Sequence, residues 1–442
     1  MQGLFFPARK ATEFFREARR WLPVVALLSS CTTHAGGNLS AEDAFAESLA
    51  QTLDGLDDVS PYAPPDVAIE DPEALAPFRE ALRMAASRQG QARVVIYGGS
   101  HTAADLYPSV IRRAFQAGFG NLGHGFVMPV PPFENYWQGG VRIEPSEGFA
   151  GTEPSLKRMG VDSYGIAGMA FDSEDVSTAE LSTDNSSASH IELLFLTQPG
   201  AGSVDLRVDD FPAWNVPTQA TEMRAASVVI GVTDGPHRLR IDTRGDGPVR
   251  LYGVVLEREG SGVVVDQLGL AGAKARHPLL WTESVWYDLL ASRRPNLFIF
   301  SYGNNETDDS HLTSDQHVAH FEAMLTRFRT HFPTSACLVV SPSDRLLPDA
   351  NGVLVTPPLI TILRDAQRRV AHEQGCAFFD SLAWQGGPGA MARWRDQSPP
   401  LARQDGIHFT ELGYRLFGAQ LVRSLVAAVS EPPSQAPEPH GG

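Results

Sequence analysis

The chain alternates strand and helix signals, and the alternation is broken once, over residues 146–262, by a stretch with strand signals only. Before the break, an apolar run over residues 92–97 meets Gly98-Gly99-Ser100. A helix pattern follows, with Leu106, Val110, Ile111, Ala114 and Phe115 on one face,. After the break, residues 263–268, 296–301, 337–341 and 376–380 read as buried strands, and residues 281–290, 316–331, 359–373 and 410–429 as helices. A helix that links two strands carries the chain back to the same edge, so such strands run parallel. The expected fold class is α/β, a doubly wound parallel sheet. Within the break, residues 191–196, 203–208, 227–230, 237–241 and 249–256 are short strand candidates at roughly ten-residue spacing,. No helix pattern separates them, which predicts an inserted all-β sandwich.

The ends differ in kind. Arg9, Lys10, Arg16, Arg19 and Arg20 precede a short apolar run over residues 21–28, then Ser29-Ser30-Cys31. Basic residues, a short apolar core and small residues make an export signal, and the run is too short to span a bilayer. Leu28-Ser29-Ser30-Cys31 resembles the bacterial lipobox, which implies lipidation of Cys31 and a membrane anchor at the N-terminus. Thr32 replaces the Asp that favours inner-membrane retention, so the expectation is an outer-membrane lipoprotein of the bacterial cell envelope, facing the periplasm or cell surface. An ordinary cleaved signal and a chance apolar patch are the alternatives, because the basic region is long and Pro23 interrupts the run.

The expected layout is therefore a signal segment at 1–30 and a polar tether at 31–72, with one short helix around 41–53. The α/β domain comes in two parts, 73–145 and 263–429, around the sandwich at 146–262. A Pro-rich disordered tail fills 430–442. The formal charge of −16 repels phosphates and excludes a nucleic-acid partner,. Beyond Cys31 there are Cys337 and Cys376, each opening an apolar run. They are expected as buried, unpaired small side chains, and no metal-ligand spacing is present.

Three segments carry chemistry, each just after a strand or in a late loop. Ligands of open parallel sheets bind beyond the carboxyl ends of strands, so the placement argues for one shared site. Gly98-Gly99-Ser100-His101-Thr102 puts a serine on a tight turn at a helix start, its own N–H able to donate to an oxyanion. A plain helix cap is the other reading, and Thr102 stands where a Gly-x-Ser-x-Gly elbow would end. In Asp405-Gly406-Ile407-His408, a carboxylate three residues before a histidine can hold one ring nitrogen and leave the other as base. The alternative is an Asp-Gly turn with an incidental His. Gly303-Asn304-Asn305-Glu306 offers a side-chain amide at a strand end, or simply a polar turn.

Together these segments resemble the SGNH/GDSL hydrolases, whose blocks occur in this chain order, over roughly residues 92–130 and 263–426. The resemblance implies a flavodoxin-like SGNH domain with Ser100 as nucleophile and Asp405 and His408 as its partners. It implies an oxyanion hole made by the Ser100 N–H, the Gly272 N–H and the Asn305 side chain, and no metal or organic cofactor. Gly269 and Gly272 both lie in the second block, where the small residue after Gly272 favours the latter. Asn304 competes with Asn305, and the Gly-x-Asn spacing favours Asn305. Gly99 departs from the pattern, since the family usually has Asp there.

Ser100-His101-Thr102-Ala103 with Asp105, and residues 118–126, resemble exported family members that act on O-acetyl groups of peptidoglycan and carry an inserted carbohydrate-binding-module-like sandwich. The implied activity is a serine esterase that hydrolyses small acyl esters, foremost acetyl, on a cell-wall or extracellular glycan through an acyl-enzyme. An O-acetyltransferase with the same triad and a non-catalytic glycan-binding lipoprotein are the alternatives. Trp137, Tyr164 and Trp214 are candidates to stack on sugar rings, or core and interface aromatics. The oligomeric state is left open.

Overall fold

The computed structural model describes residues 40–57, 64, 66–133, 136–145, 148–151 and 162–430. The expected signal segment, Cys31 and residues 431–442 lie outside the described residues. The fold is α/β with a parallel sheet. Its strands, in spatial order, are Gly262–Gln267, Gln91–Gly98, Leu297–Ser301, Ala336–Val340 and Ala377–Phe379. The chain enters in the second position, adds one strand outside it and then three on the other side. The direction of winding switches at Gln91–Gly98, where it meets Leu297–Ser301, and that is where a doubly wound sheet opens a crevice.

Alternate residues of these strands feed two cores. Val94, Ile96, Val263, Val265, Leu297 and Ile299 pack under the helices Ala76–Ala86, Leu106–Phe119 and Glu411–Ser430. Val95, Tyr97, Phe298 and Phe300 face the other way, toward Trp286 and Leu289 of the helix Glu283–Ser292 and Phe328 of Ser314–His331. That second core runs on without a break into Leu193, Phe195, Leu251 and Val254.

Those last residues belong to the first of two antiparallel sheets. The first contains Arg224–Gly235, Ala188–Thr197, Val249–Glu257, Phe171–Ser173 and Ala150–Gly151; the other contains Arg142–Ile143, Thr178–Ser182, Arg238–Thr243, Ser203–Val208 and Trp214–Pro217. Alternation sets their faces: Leu239 and Ile241 are fully buried, while Arg238 is exposed,.

Three expectations need correction. Residues 31–72 are not tether throughout. Ser40 caps a helix, Ala41–Asp54, whose Phe45 and Leu49 lie four apart and bury against Leu106–Phe119 and Glu411–Ser430,. Glu70 then pairs with Phe378 at the sheet edge. The boundary at 145/146 also moves. The strand Gly123–Val127 pairs with Val249–Glu257, and Arg142–Ile143 pairs with Thr178–Ser182, so both belong to the antiparallel sheets. Gly125 makes that early crossing possible. It has φ of +89°, and a Cβ there would lie 2.5 Å from Asp266 Oδ1,.

The third correction concerns the cysteines, which form a disulfide. Leu338 pairs with Ala377 in the parallel ladder, so Cys337 and Cys376, one step earlier on each strand, face each other with Cα atoms 4.7 Å apart. A pairing of this kind depends on register between strands and leaves no mark in local sequence.

A buried ionic network ties the two parts together. Arg293 donates from Nε and Nη2 to Asp266 at 2.9 Å each, and its Nη2 also meets Glu257. Arg93 grips both oxygens of Glu257 at 2.7 and 2.8 Å. Glu257 closes a sandwich strand, whereas Asp266 and Arg93 lie in the parallel sheet.

Candidate active site

Gly98 ends its strand and Ser100 opens the short helix Ser100–Ala103. Its hydroxyl lies at the carboxyl edge of the sheet, at the switch point. The facing group comes from the far end of the chain. Residues 402–409 form a narrow loop, closed by an Ala402–Phe409 bridge and by the Arg403 amide donating to the His408 carbonyl at 2.8 Å. The helix that follows, Glu411–Ser430, packs on Leu106–Phe119 and so fixes this loop over Ser100.

His408 Nε2 lies 2.8 Å from Ser100 Oγ, and His408 Nδ1 lies 2.8 Å from Asp405 Oδ2. The other carboxylate oxygen of Asp405 accepts from the amides of Ile407 and His408, each at 2.9 Å. The Asp-Gly turn and the carboxylate–imidazole pair are thus the same structure. Burial raises the Asp405 carboxyl, but the His408 and Ile407 amides and the imidazole outweigh it and hold the group below the usual carboxylate range,. It remains an acceptor at neutral pH, which leaves His408 Nδ1 as the donor and Nε2 free to take the serine proton.

Asn305 and Asn304 separate cleanly. Asn304 Nδ2 donates to the Ser343 carbonyl at 2.9 Å, and its Oδ1 accepts from the Ser343 amide at 3.3 Å, so that side chain is spent on a neighbouring loop. Asn305 turns toward Gly99 and donates from Nδ2 to the Ala273 carbonyl at 2.9 Å. Gly272, at φ +76°, is an exposed turn residue just before Ala273, so the second-block turn abuts the Gly99–Asn305 contact. Gly269 instead packs on Thr102 and Ala103, where a Cβ would come within 2.6 Å.

The supporting residues were mostly not legible beforehand. His101 is buried beneath His408, with ring centroids 5.5 Å apart, and its Nδ1 meets the Tyr414 hydroxyl at 3.0 Å. Burial, then the nearby His408, lowers its pKa to about 3, so it puts no competing charge under the base. Arg345, fully buried, donates to the Asn304 carbonyl at 2.8 Å and to Thr307 at 2.7 Å, which holds the Asn305 turn. Glu306 accepts from the Ala275 amide at 2.9 Å and ties the same turn to the second block. Asp105 accepts from Arg112, seven residues further on, at 2.9 and 3.0 Å. Asp105 also accepts from the Gly139 amide at 2.9 Å. Tyr164 is buried and presents no face to a sugar, whereas Trp137 and Trp214 are 49% and 38% exposed. Among the described residues no group of His, Cys, Asp or Glu is arranged to hold a metal ion.

The GDSL-like lipase/acylhydrolase family model matches residues 227–416, a span that includes Asn305, Asp405 and His408 and stops short of Ser100. Residues 227–416 thus carry a GDSL-like lipase/acylhydrolase domain. The chain is a carboxylic ester hydrolase. No curated protein matches the hydrolase in sequence. Among solved structures, a peptidoglycan O-acetylesterase aligns with a TM-score of 0.69 at 22% identity, over 82% of the hydrolase and 98% of that chain. The hydrolase therefore shares that protein's fold. A family two carbohydrate esterase from Cellvibrio japonicus aligns with a TM-score of 0.26 at 10% identity, over 70% and 98% of the two chains.

Proposed function

We propose that the hydrolase removes small acyl groups, foremost acetyl, from esterified hydroxyls of a cell-wall or extracellular glycan. The observation that carries the reading is the chain Ser100 Oγ–His408 Nε2, His408 Nδ1–Asp405, with 2.8 Å at both links. In this reading His408 takes the Ser100 proton as the oxygen attacks the ester carbonyl. The oxyanion accepts from the Ser100 and Gly272 amides and the Asn305 side chain. His408 then gives its proton to the departing sugar hydroxyl, and Ser100 keeps the acyl group. Water, deprotonated by the same ring, attacks the acyl-enzyme, and the proton returns to Ser100 as the carboxylic acid leaves. Asp405, kept ionised, stabilises the imidazolium in both halves.

The substrate class draws on the similarity to the peptidoglycan O-acetylesterase and on the antiparallel module inserted in the chain between the strands Gln91–Gly98 and Gly262–Gln267. Acetate release from an O-acetylated glycan is the direct test, with a chemically deacetylated sample and an activated acetyl ester as controls. Release from the glycan and the small ester is expected. Turnover of the small ester alone would remove the glycan, and transfer of the acetyl to added sugar would make the enzyme an acyltransferase.

We further infer export and lipidation at Cys31. The Cys337–Cys376 disulfide supports an oxidising compartment,. Cys31→Ala should move the protein from the membrane fraction to the soluble one. A mature chain whose first residue, by mass spectrometry, is not a lipidated Cys31 would end the idea.

A further inference from the structure

Gly99 stands where an aspartate is usual among enzymes the chain resembles, and its backbone does not explain the exchange. Its φ is −86° and its conformation extended, which residues with side chains also adopt,. Space explains it. A Cβ built on Gly99 lies 2.4 Å from Asn305 Nδ2, 3.6 Å from Asn305 Cγ and 3.4 Å from the Ala273 carbonyl oxygen. The same Nδ2 donates to that carbonyl at 2.9 Å. Asn305 therefore lies on the bare face of Gly99, one residue from Ser100. A primary amide nitrogen carries two hydrogens. One is committed to Ala273, which fixes the amide plane, and the other is left for an oxygen bound above Ser100.

We propose that Gly99 is a positioning residue for the oxyanion hole: its missing side chain opens the slot that Asn305 occupies. The proposal rests on the reading of Asn305 as an oxyanion donor. The obstructing atom is the end of a side chain and not backbone, so a Cβ at residue 99 has a specific outcome. Asn305 rotates away from Ala273 and from the oxyanion, and the sheet stays as it is. The first-block aspartate is thus exchanged for room to bring the third-block amide directly against the nucleophile's turn.

A double-mutant cycle on an activated acetyl ester tests this. Asn305→Ala should lower kcat roughly a hundredfold, the usual size for one lost oxyanion donor. Gly99→Ala should lower kcat by about the same factor with KM little changed. Gly99→Ala combined with Asn305→Ala should be no slower than Asn305→Ala alone, because both remove one interaction. The melting temperature gives a second reading: Gly99→Ala should lower it when Asn305 is present and leave it unchanged when residue 305 is alanine. Full turnover in Gly99→Ala, alongside a slow Asn305→Ala, would overturn the positioning role alone. Multiplying losses in the double variant, or a double variant that does not fold, would do the same. Wild-type turnover in Asn305→Ala would instead overturn the donor reading beneath it.

Discussion

Ser100→Ala is expected to lower ester turnover by at least about ten-thousandfold while leaving the unfolding midpoint within error of the parent. The two halves of this expectation have separate causes. The hydroxyl reaches His408 Nε2 at 2.8 Å, so its removal takes away the nucleophile and leaves the base with nothing to deprotonate. Ser100 is only partly buried, and alanine keeps the helix start it occupies, so little packing is lost,. Steady-state kinetics on an activated acetyl ester and urea unfolding followed by circular dichroism would check both halves. Retained turnover with the fold intact would place the nucleophile elsewhere. Lost turnover with a lowered midpoint would show that the serine is structural.

Arg293→Met should give the largest loss of stability, about 3–5 kcal/mol at neutral pH, the usual cost of stripping one partner from buried charges. Arg293 is 4% exposed in its side chain, and Asp266 and Glu257 are 1% and 3% exposed. Methionine fills the space but leaves Asp266, among the described residues, with the Phe126 amide as its remaining hydrogen-bond donor.

The pH dependence follows from Glu257. Burial raises that carboxyl, but Arg293, with hydrogen bonds from His190 and Arg93, holds it well below the carboxylate range. A depressed folded pKa contributes stability above the unfolded value, near 4.5, and loses it as pH falls through the folded value,. The variant lacks much of this contribution, so its deficit should be widest at neutral pH and narrow on acidification. A deficit that does not change with pH would exclude the charge as its source. A deficit under 1 kcal/mol would mean that the network is solvated in solution.

The division into an α/β part and a strand-only part was readable because periodicity is a local property. The strand Ser203–Val208 alternates within its own six residues, and the helix Ser314–His331 was readable over 316–331 from its helical pattern. The site segments were readable for a related reason: Asp405 and His408 are three residues apart, and Ser100 directly follows a strand. What escaped notice is held together by residues distant in the chain. Arg93 and Glu257 are 164 residues apart, and neither has a sequence neighbour that announces the pairing. Arg345 and Glu306 look like surface charges in any window, yet the structure buries them behind the Asn305 turn. The helix Ala41–Asp54 was visible as a helix, but its docking depends on a partner face contributed by Leu106–Phe119 and Glu411–Ser430. The crossing of Gly123–Val127 into the sandwich was hidden because its partner strand starts only at Val249.

The 308-residue separation between Ser100 and His408 has a consequence for how the molecule comes to exist. The serine's strand and turn can form from local sequence, but the base arrives only when Glu411–Ser430 settles on Leu106–Phe119. Closing so long a loop is among the slower and costlier steps a chain takes. Every intermediate that lacks that last docking carries a serine with no base, and so no hydrolytic power. Catalysis therefore begins as an all-or-none property of the finished tertiary structure, and the appearance of esterase activity during refolding is a clock for the closure of the chain's ends.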